Sequence, residues 1–173
     1  IMPTVEDAQF PSGQFQQVYE VNTEGGRPAL FSSMPMEDIS INHTGNTLLY
    51  HDKKGYEDPW RKHHQSSITR DIWLCTLDRE HSFQKITSFK GEDRNPVWAT
   101  DGSSFYYLSE EKGSFNIFKN DLTGRNSRQI TNHTMHPVRF LTSDNNGNLC
   151  YGYDGEIYTV KEGTQPKKVD VQI

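Results

Sequence analysis

Asn95-Pro96-Val97-Trp98-Ala99-Thr100-Asp101-Gly102, followed by Ser104-Phe105-Tyr106-Tyr107-Leu108-Ser109, decides the fold of this chain. Asp-Gly is a turn dipeptide, because glycine accepts positive φ at little cost. Here it separates two short runs, the second dense in aromatic residues, as strands prefer. Two further runs follow, Phe115-Asn116-Ile117-Phe118-Lys119-Asn120-Asp121 and Asn126-Ser127-Arg128-Gln129-Ile130-Thr131. Lys112-Gly113 and Thr123-Gly124 mark the turns before them. The segment reads as four antiparallel strands joined by tight turns.

The same unit recurs on both sides. Upstream, Asp38 to Gly45 leads into Leu48-Leu49-Tyr50-His51, Asp71-Ile72-Trp73-Leu74 and Phe83-Gln84-Lys85-Ile86-Thr87. Downstream, His136-Pro137-Val138-Arg139-Phe140 leads to Asn146-Gly147, Leu149-Cys150-Tyr151, Glu156-Ile157-Tyr158-Thr159-Val160 and Lys168-Val169. The chain opens part-way through a unit, with Gln17 to Val21 and Gly25 to Leu30. Ile72 to Ile117 is 45 residues and Ile117 to Ile157 is 40. A four-stranded unit at that period is the sequence signature of a β-propeller blade. The fold class is therefore all-β, an incomplete β-propeller of about three and a half four-stranded antiparallel blades. The whole chain, 1–173, is expected to form one partial propeller with approximate blades 1–33 (partial), 34–88, 89–132 and 133–173. Closed propellers hold four to eight blades. Such a chain is expected to meet the remaining blades of a larger propeller or a second copy of itself, because bare sheet faces and edges favour association.

Composition agrees. Only 32% of the residues are hydrophobic, yet 12% are aromatic, which suits strands better than helical bundles. A net charge of −5 offers no Lys/Arg surplus for a phosphate backbone, so nucleic acid is not an expected partner. No apolar run is long enough to cross a bilayer as a helix, so membrane insertion is not expected. Cys75 and Cys150 fall in strands of different units, too far apart for the close Cα approach a disulfide requires. The first residue, Ile1, is not an initiator Met, so a signal peptide is neither seen nor excluded.

Pro96-Val97-Trp98, Asp101-Gly102 and Ile130-Thr131 resemble the TolB-like repeat, in which a Pro-x-Trp strand precedes an Asp-Gly turn and the unit closes near Leu-Thr. In the neighbouring units Ile41 and Phe140 are expected to take the place of Trp98. The stretch from Asp58 to Trp73 narrows the likeness: it resembles the N-terminal propeller region of bacterial tricorn-like serine proteases, in which propellers precede PDZ and catalytic domains. The resemblance implies a peptidase whose propeller gates or binds polypeptide substrates, with no catalytic residue in this chain. It also favours a periplasmic or secreted location, with a cytoplasmic one still open. A stand-alone TolB-like interaction module, binding another protein by its rim or channel, is the alternative. The propeller of a prolyl-oligopeptidase-like enzyme is a third reading.

Up-down strand bookkeeping places the links between blades at the same end as the turns between second and third strands. One such turn is abnormally long, running from Lys53 to Arg70. Long loops on compact scaffolds carry function more often than short ones. A second extension is expected in the first unit, from Pro3 to Gly13. One rim thus gathers Trp60, Arg61, His63, His64, Arg70, Arg94, His133 and His136, the expected ligand-binding residues. Arg61 and Arg70 suit a peptide carboxylate, since guanidinium pairs with carboxylate bidentately, but pinning the long loop by ion pairs explains them as well. Trp60 suits either a ligand anchor or the loop's own small core. The histidines suit a metal only if a fuller ligand set exists; none stands at standard spacing, so no metal and no cofactor are expected. Ser66-Ser67 beside His63-His64 lacks the glycine pattern of a nucleophile elbow.

Overall fold

The computed structural model describes residues 2–4, 16–55, 58, 60–63 and 65–172. Among the described residues, fifteen strands form four antiparallel sheets in chain order. The first sheet holds β1 (Met2–Thr4), β2 (Gln17–Glu20) and β3 (Ala29–Ser32). The second holds β4 (Met36–Ile41), β5 (Thr47–Asp52), β6 (Ile72–Thr76) and β7 (Phe83–Lys85). The third holds β8 (Asp93–Trp98), β9 (Ser104–Ser109), β10 (Asn116–Asp121) and β11 (Arg128–Gln129). The fourth holds β12 (Arg139–Ser143), β13 (Asn148–Tyr153), β14 (Glu156–Lys161) and β15 (Lys167–Lys168). Each four-stranded sheet is a simple meander whose first strand lies beside that of its neighbour, β8 touching both β4 and β12. This is the incomplete propeller that the repeat predicts. The strands of the first sheet match the second to fourth strands of the others, since β3 leads directly into β4.

Short-range chemistry explains why each unit folds alike. Gly102 closes the first turn of the third sheet at φ 65, donating its N–H to Ala99 O at 3.1 Å. Asp101 Oδ1 accepts the N–H groups of Ser103 and Ser104, both at 2.8 Å. Gly45 and Gly147 make the equivalent bond to Asn42 O and Asp144 O. The isoleucines that set the period mark one structural position. The carbonyls of Ile72, Ile117 and Ile157 accept the N–H groups of Ile86, Ile130 and Val169. The Ile-Thr close has its own purpose: Thr87 Oγ1 and Thr131 Oγ1 accept the N–H groups of Ile72 and Ile117 at 3.0 and 2.9 Å. These bonds fasten the fourth strand to the third although the fourth is only two or three residues long.

The core consists of three layers, one between each pair of successive sheets. Side chains alternate along a strand, so β5 sends Leu48 and Tyr50 toward the first sheet and Leu49 toward the third. Likewise β9 sends Phe105 and Tyr107 to the layer shared with the second sheet, and Tyr106 and Leu108 to the layer shared with the fourth. Trp98 is half-buried against the layer between the second and third sheets, its Nε1 donating to Ser40 O at 2.9 Å.

Register corrects one expectation. Trp98 faces Phe105 and Ile41 faces Leu48 on their second strands, so Ile41 does stand in the place of Trp98. In the fourth sheet that place belongs to Ser143, which faces Leu149. Phe140 instead occupies a β-bulge shared by all three first strands, whose other members are Asp38 and Asn95. All three have left-handed backbone, at φ 50, 55 and 57 in chain order. Ile41, Trp98 and Ser143 each stand four residues before the turn glycine, Gly45, Gly102 and Gly147, so the count back from the turn and not residue type identifies the position.

Candidate functional site

The sheet-to-sheet links and the turns between second and third strands share one end of the molecule. Lys53 N–H reaches Pro35 O at 3.4 Å, and Ser114 Oγ donates to His136 O at 3.0 Å. At this end the first strands and the long β5–β6 loop enclose an open cleft of about 490 Å³. Lys54 staples the base of the loop, its ammonium donating to Thr69 O at 2.6 Å and pairing with Asp71 at 2.5 Å. From there the loop crosses the third sheet, where His63 N–H donates to Glu110 Oε2 at 2.6 Å. It reaches the fourth at Trp60, whose ring lies 4.3 Å from the Arg139 guanidinium, within cation–π range.

The cleft wall is a set of committed charges. Arg70 and Glu92 are 6% and 4% exposed and pair at 2.7 Å, with Arg94 at 3.5 Å from the same carboxylate. Burial pushes the Arg94 guanidinium below its ordinary value while Glu92 opposes the shift, and its plane lies 4.3 Å from the Phe115 ring. Glu37 is held at about 2, chiefly by its hydrogen bond from His51 and further by Lys53 at 2.8 Å. The tautomer of His51 follows from its partners. Its Nδ1 accepts the Asn95 N–H at 3.1 Å, so Nε2 carries the proton and donates to Glu37 at 3.2 Å. Asn95 in turn clamps the fourth sheet, donating from Nδ2 to Leu141 O at 3.2 Å and accepting Leu141 N–H at 2.8 Å.

A second cleft of about 490 Å³ lies beside the first and shares Trp60, Arg139 and Phe140 with it. Its lining is more apolar, adding Pro137, Gly152, Tyr153 and Ile157. Trp60 is 62% exposed and Phe140 70%, so the indole does not fill a core of its own loop.

The rim residues expected from sequence divide into three groups. Trp60, Arg70 and Arg94 come together around the first cleft, the two arginines buried in its wall. Arg61 and His63 are exposed on the loop. His133 and His136 lie at the fourth sheet, each with a local partner. His133 stacks on Tyr153 with centroids 3.8 Å apart and meets Tyr151 Oη at 2.9 Å, and burial lowers its pKa. His136 sits 3.2 Å from Asp154 and borders the second cleft. His64, and nearly all of the extension expected from Pro3 to Gly13, lie outside the described residues. Among the described residues no group of three His, Cys, Asp or Glu is placed to hold a metal ion, and no helix is long and apolar enough to cross a membrane. Cys75 and Cys150 are free thiols. Sequence reading missed Glu37, His51, Arg139 and Phe140. The signal that finds them is the bulge: Glu37 and Arg139 immediately precede the left-handed residues of the first strands of the second and fourth sheets, as Arg94 does in the third.

Comparison with known proteins identifies the family of the fold. A family model described as the tricorn protease N-terminal beta propeller domain matches residues 3–166. The tricorn protease homolog of Saccharolobus solfataricus is 26% identical over 188 aligned residues, covering 96% of this chain and 17% of the relative. The tricorn protease of Thermoplasma volcanium is 25% identical, covering 66% of this chain and 11% of the relative. The chain thus spans less than a fifth of these relatives. Among solved structures, the tricorn protease superposes with a TM-score of 0.72 at 19% identity over 93% of this chain and 15% of that one. A TolB from Agrobacterium tumefaciens superposes at 0.71 and 16% identity, over 89% of this chain and 56% of its own. The chain belongs to the tricorn protease N-terminal β-propeller family.

Proposed function

We propose that this chain is a non-catalytic propeller segment of a tricorn-like peptidase and that it binds polypeptide at the paired clefts under the β5–β6 loop. The observation that carries this reading is the meeting of Trp60, Arg139 and Phe140, from a loop of the second sheet and the first strand of the fourth, at the boundary of both clefts. Exposed aromatic groups held by a rigid scaffold bind extended chains at low entropic cost. The buried arginines form part of the scaffold. Arg70 and Arg94 are each paired with Glu92, so they fix the shape of the wall.

Trp60 reports on this site directly. Titrating the protein with an unfolded polypeptide is expected to shift Trp60 emission saturably, and Trp60→Phe removes that signal while leaving the signal of Trp73 and Trp98. Saturable binding that is unaffected by Trp60→Phe places the site elsewhere, and no binding at high peptide concentration ends the proposal. A response to folded protein but not to unfolded chains favours the interaction-module reading.

A further inference from the structure

The bulge shared by the first strands delivers one residue from each of three sheets to the first cleft, and the three differ in chemistry: Asp38, Asn95 and Phe140. Asn95 commits both ends of its amide to Leu141. Phe140 presents an exposed ring. Asp38 presents a carboxylate on a side chain that is 50% exposed. Left-handed backbone accounts for an aspartate or an asparagine equally well, and Asn95 fills the same position in the third sheet. The backbone therefore explains the shape of Asp38 but not its charge.

Nor does the cleft wall use that charge. Glu37 is engaged by His51, by Lys53 and, at 3.5 Å, by Arg70. Glu92 pairs with Arg70 and Arg94. Among the described residues the one basic group beside the Asp38 carboxylate is His51, whose Nδ1 lies 3.6 Å away. That nitrogen accepts the Asn95 N–H, so in this tautomer it has no proton to give. Asp38 acts on Arg94 only through space, and more weakly than Glu92, Arg139 and Arg70 do. The cleft thus carries an unused anion at its second-sheet end, and exposed rings beside Arg139 at its fourth-sheet end.

We infer that Asp38 is a specificity-determining residue that accepts a lysine or arginine side chain of the bound polypeptide. The inference rests on the polypeptide-binding reading above and adds a substrate class to it: chains in which a basic residue stands close to apolar or aromatic ones. A lysine or arginine stem lies against apolar surface while its charged head reaches a carboxylate. Low-dielectric walls make such a pair stronger than it is in open water. An acidic residue at the same end meets Asp38 as a like charge and is rejected.

The test uses the whole chain, Trp60 emission and three unfolded host peptides. The peptides share a fixed phenylalanine and differ only in one neighbouring residue, which is lysine, glutamine or glutamate. The lysine peptide is expected to bind about five- to tenfold tighter than the glutamine peptide, and the glutamate peptide more weakly than either. Asp38→Asn removes the charge but keeps the size and the tolerance of left-handed backbone, and an unchanged melting temperature confirms that it folds. It is expected to erase the preference, so that the lysine and glutamine peptides bind alike. Equal binding of those two peptides by the wild type, or a lysine preference that survives Asp38→Asn, overturns the inference and leaves the polypeptide reading standing. Tightest binding of the glutamate peptide does the same and assigns the selectivity to Arg139. Loss of all three peptides in folded Asp38→Asn also overturns it, because Asp38 then shapes the cleft rather than choosing its occupant. A wild-type chain that binds none of the three overturns both readings.

Discussion

β9 and β13 are the second strands of neighbouring sheets, yet they live in different surroundings. All six residues of β9 are buried, whereas in β13 only Leu149 and Tyr151 are, with Cys150, Gly152 and Tyr153 half-buried and Asn148 exposed. The cause is the number of covered faces. Sheets stand on both sides of β9, and its run Phe105-Tyr106-Tyr107-Leu108 is large on both faces. Among the described residues β13 has a sheet on one side, and its other face carries Cys150 and Gly152. Identical local hydrogen bonding thus coexists with different burial. Repetition specifies each sheet, but the energy of the fold resides in the layers between sheets.

The sharpest way to break this comparison is to truncate one residue in both surroundings. Ile117→Ala removes a fully buried side chain from a layer between two sheets and is expected to cost about 2–5 kcal/mol. Ile157→Ala makes the same chemical change at the same repeat position, 46% exposed, and is expected to cost below about 1 kcal/mol. Urea denaturation at low protein concentration measures both. Equal losses would mean that the fourth sheet is covered in solution even when dilute.

A smaller effect comes from a polar residue in an apolar place. Asp93 pairs with Ser109 and takes the position that Met36 and Val138 occupy in the neighbouring sheets. It is 1% exposed, and its Oδ1 has no hydrogen-bond partner. Burial pushes its carboxyl up to about 7, against hydrogen bonds from Ser109 and Thr87 that favour the anion; Asp71 and Glu111 add to the rise. The folded value lies above the unfolded value of about 3.9, so the native state holds this proton longer. The resulting stability is complete below pH 4 and is lost as pH rises to 7, by about 4 kcal/mol at most. Unfolding free energy measured from pH 4 to 8 is expected to fall across that window. Asp93→Asn is expected to flatten the fall, and an unchanged slope would assign the titration to another group.

The legible part of the molecule was its periodic part. Gly102, Thr87, Thr131 and the isoleucines each perform a local task within one unit, so residue type and spacing alone identify them. The candidate site obeys no such rule. Trp60 meets Arg139 across 79 residues, and Arg70 meets Glu92 across a sheet boundary, so only the packing of sheets brings them together. The bulges were hidden for a different reason. Asp38 and Asn95 belong to the residue types that tolerate left-handed backbone, but Phe140 does not, and the shared position looks unrelated in sequence.

Those bulges carry the smallest predicted effects, and they have opposite signs. Asn95 uses its left-handed backbone to aim both ends of its amide at Leu141, joining the third and fourth sheets. Asn95→Ala keeps the unfavourable backbone and discards both bonds, with an expected loss of about 1–3 kcal/mol. Phe140 adopts the same backbone with nothing comparable to gain. Its ring is 70% exposed and lies against Gly152, where an added Cβ would sit 3.3 Å from it. An aromatic residue held left-handed costs about 1–2 kcal/mol, a cost that asparagine largely avoids. Phe140→Asn is therefore expected to raise stability slightly, by about 1 kcal/mol, while weakening polypeptide binding at the clefts it borders. Thermal melts and the Trp60 titration on the same variant read the two effects separately. A variant that is less stable than wild type would show instead that the ring's contact with Gly152 outweighs the strain, making Phe140 part of the sheet rather than of the site.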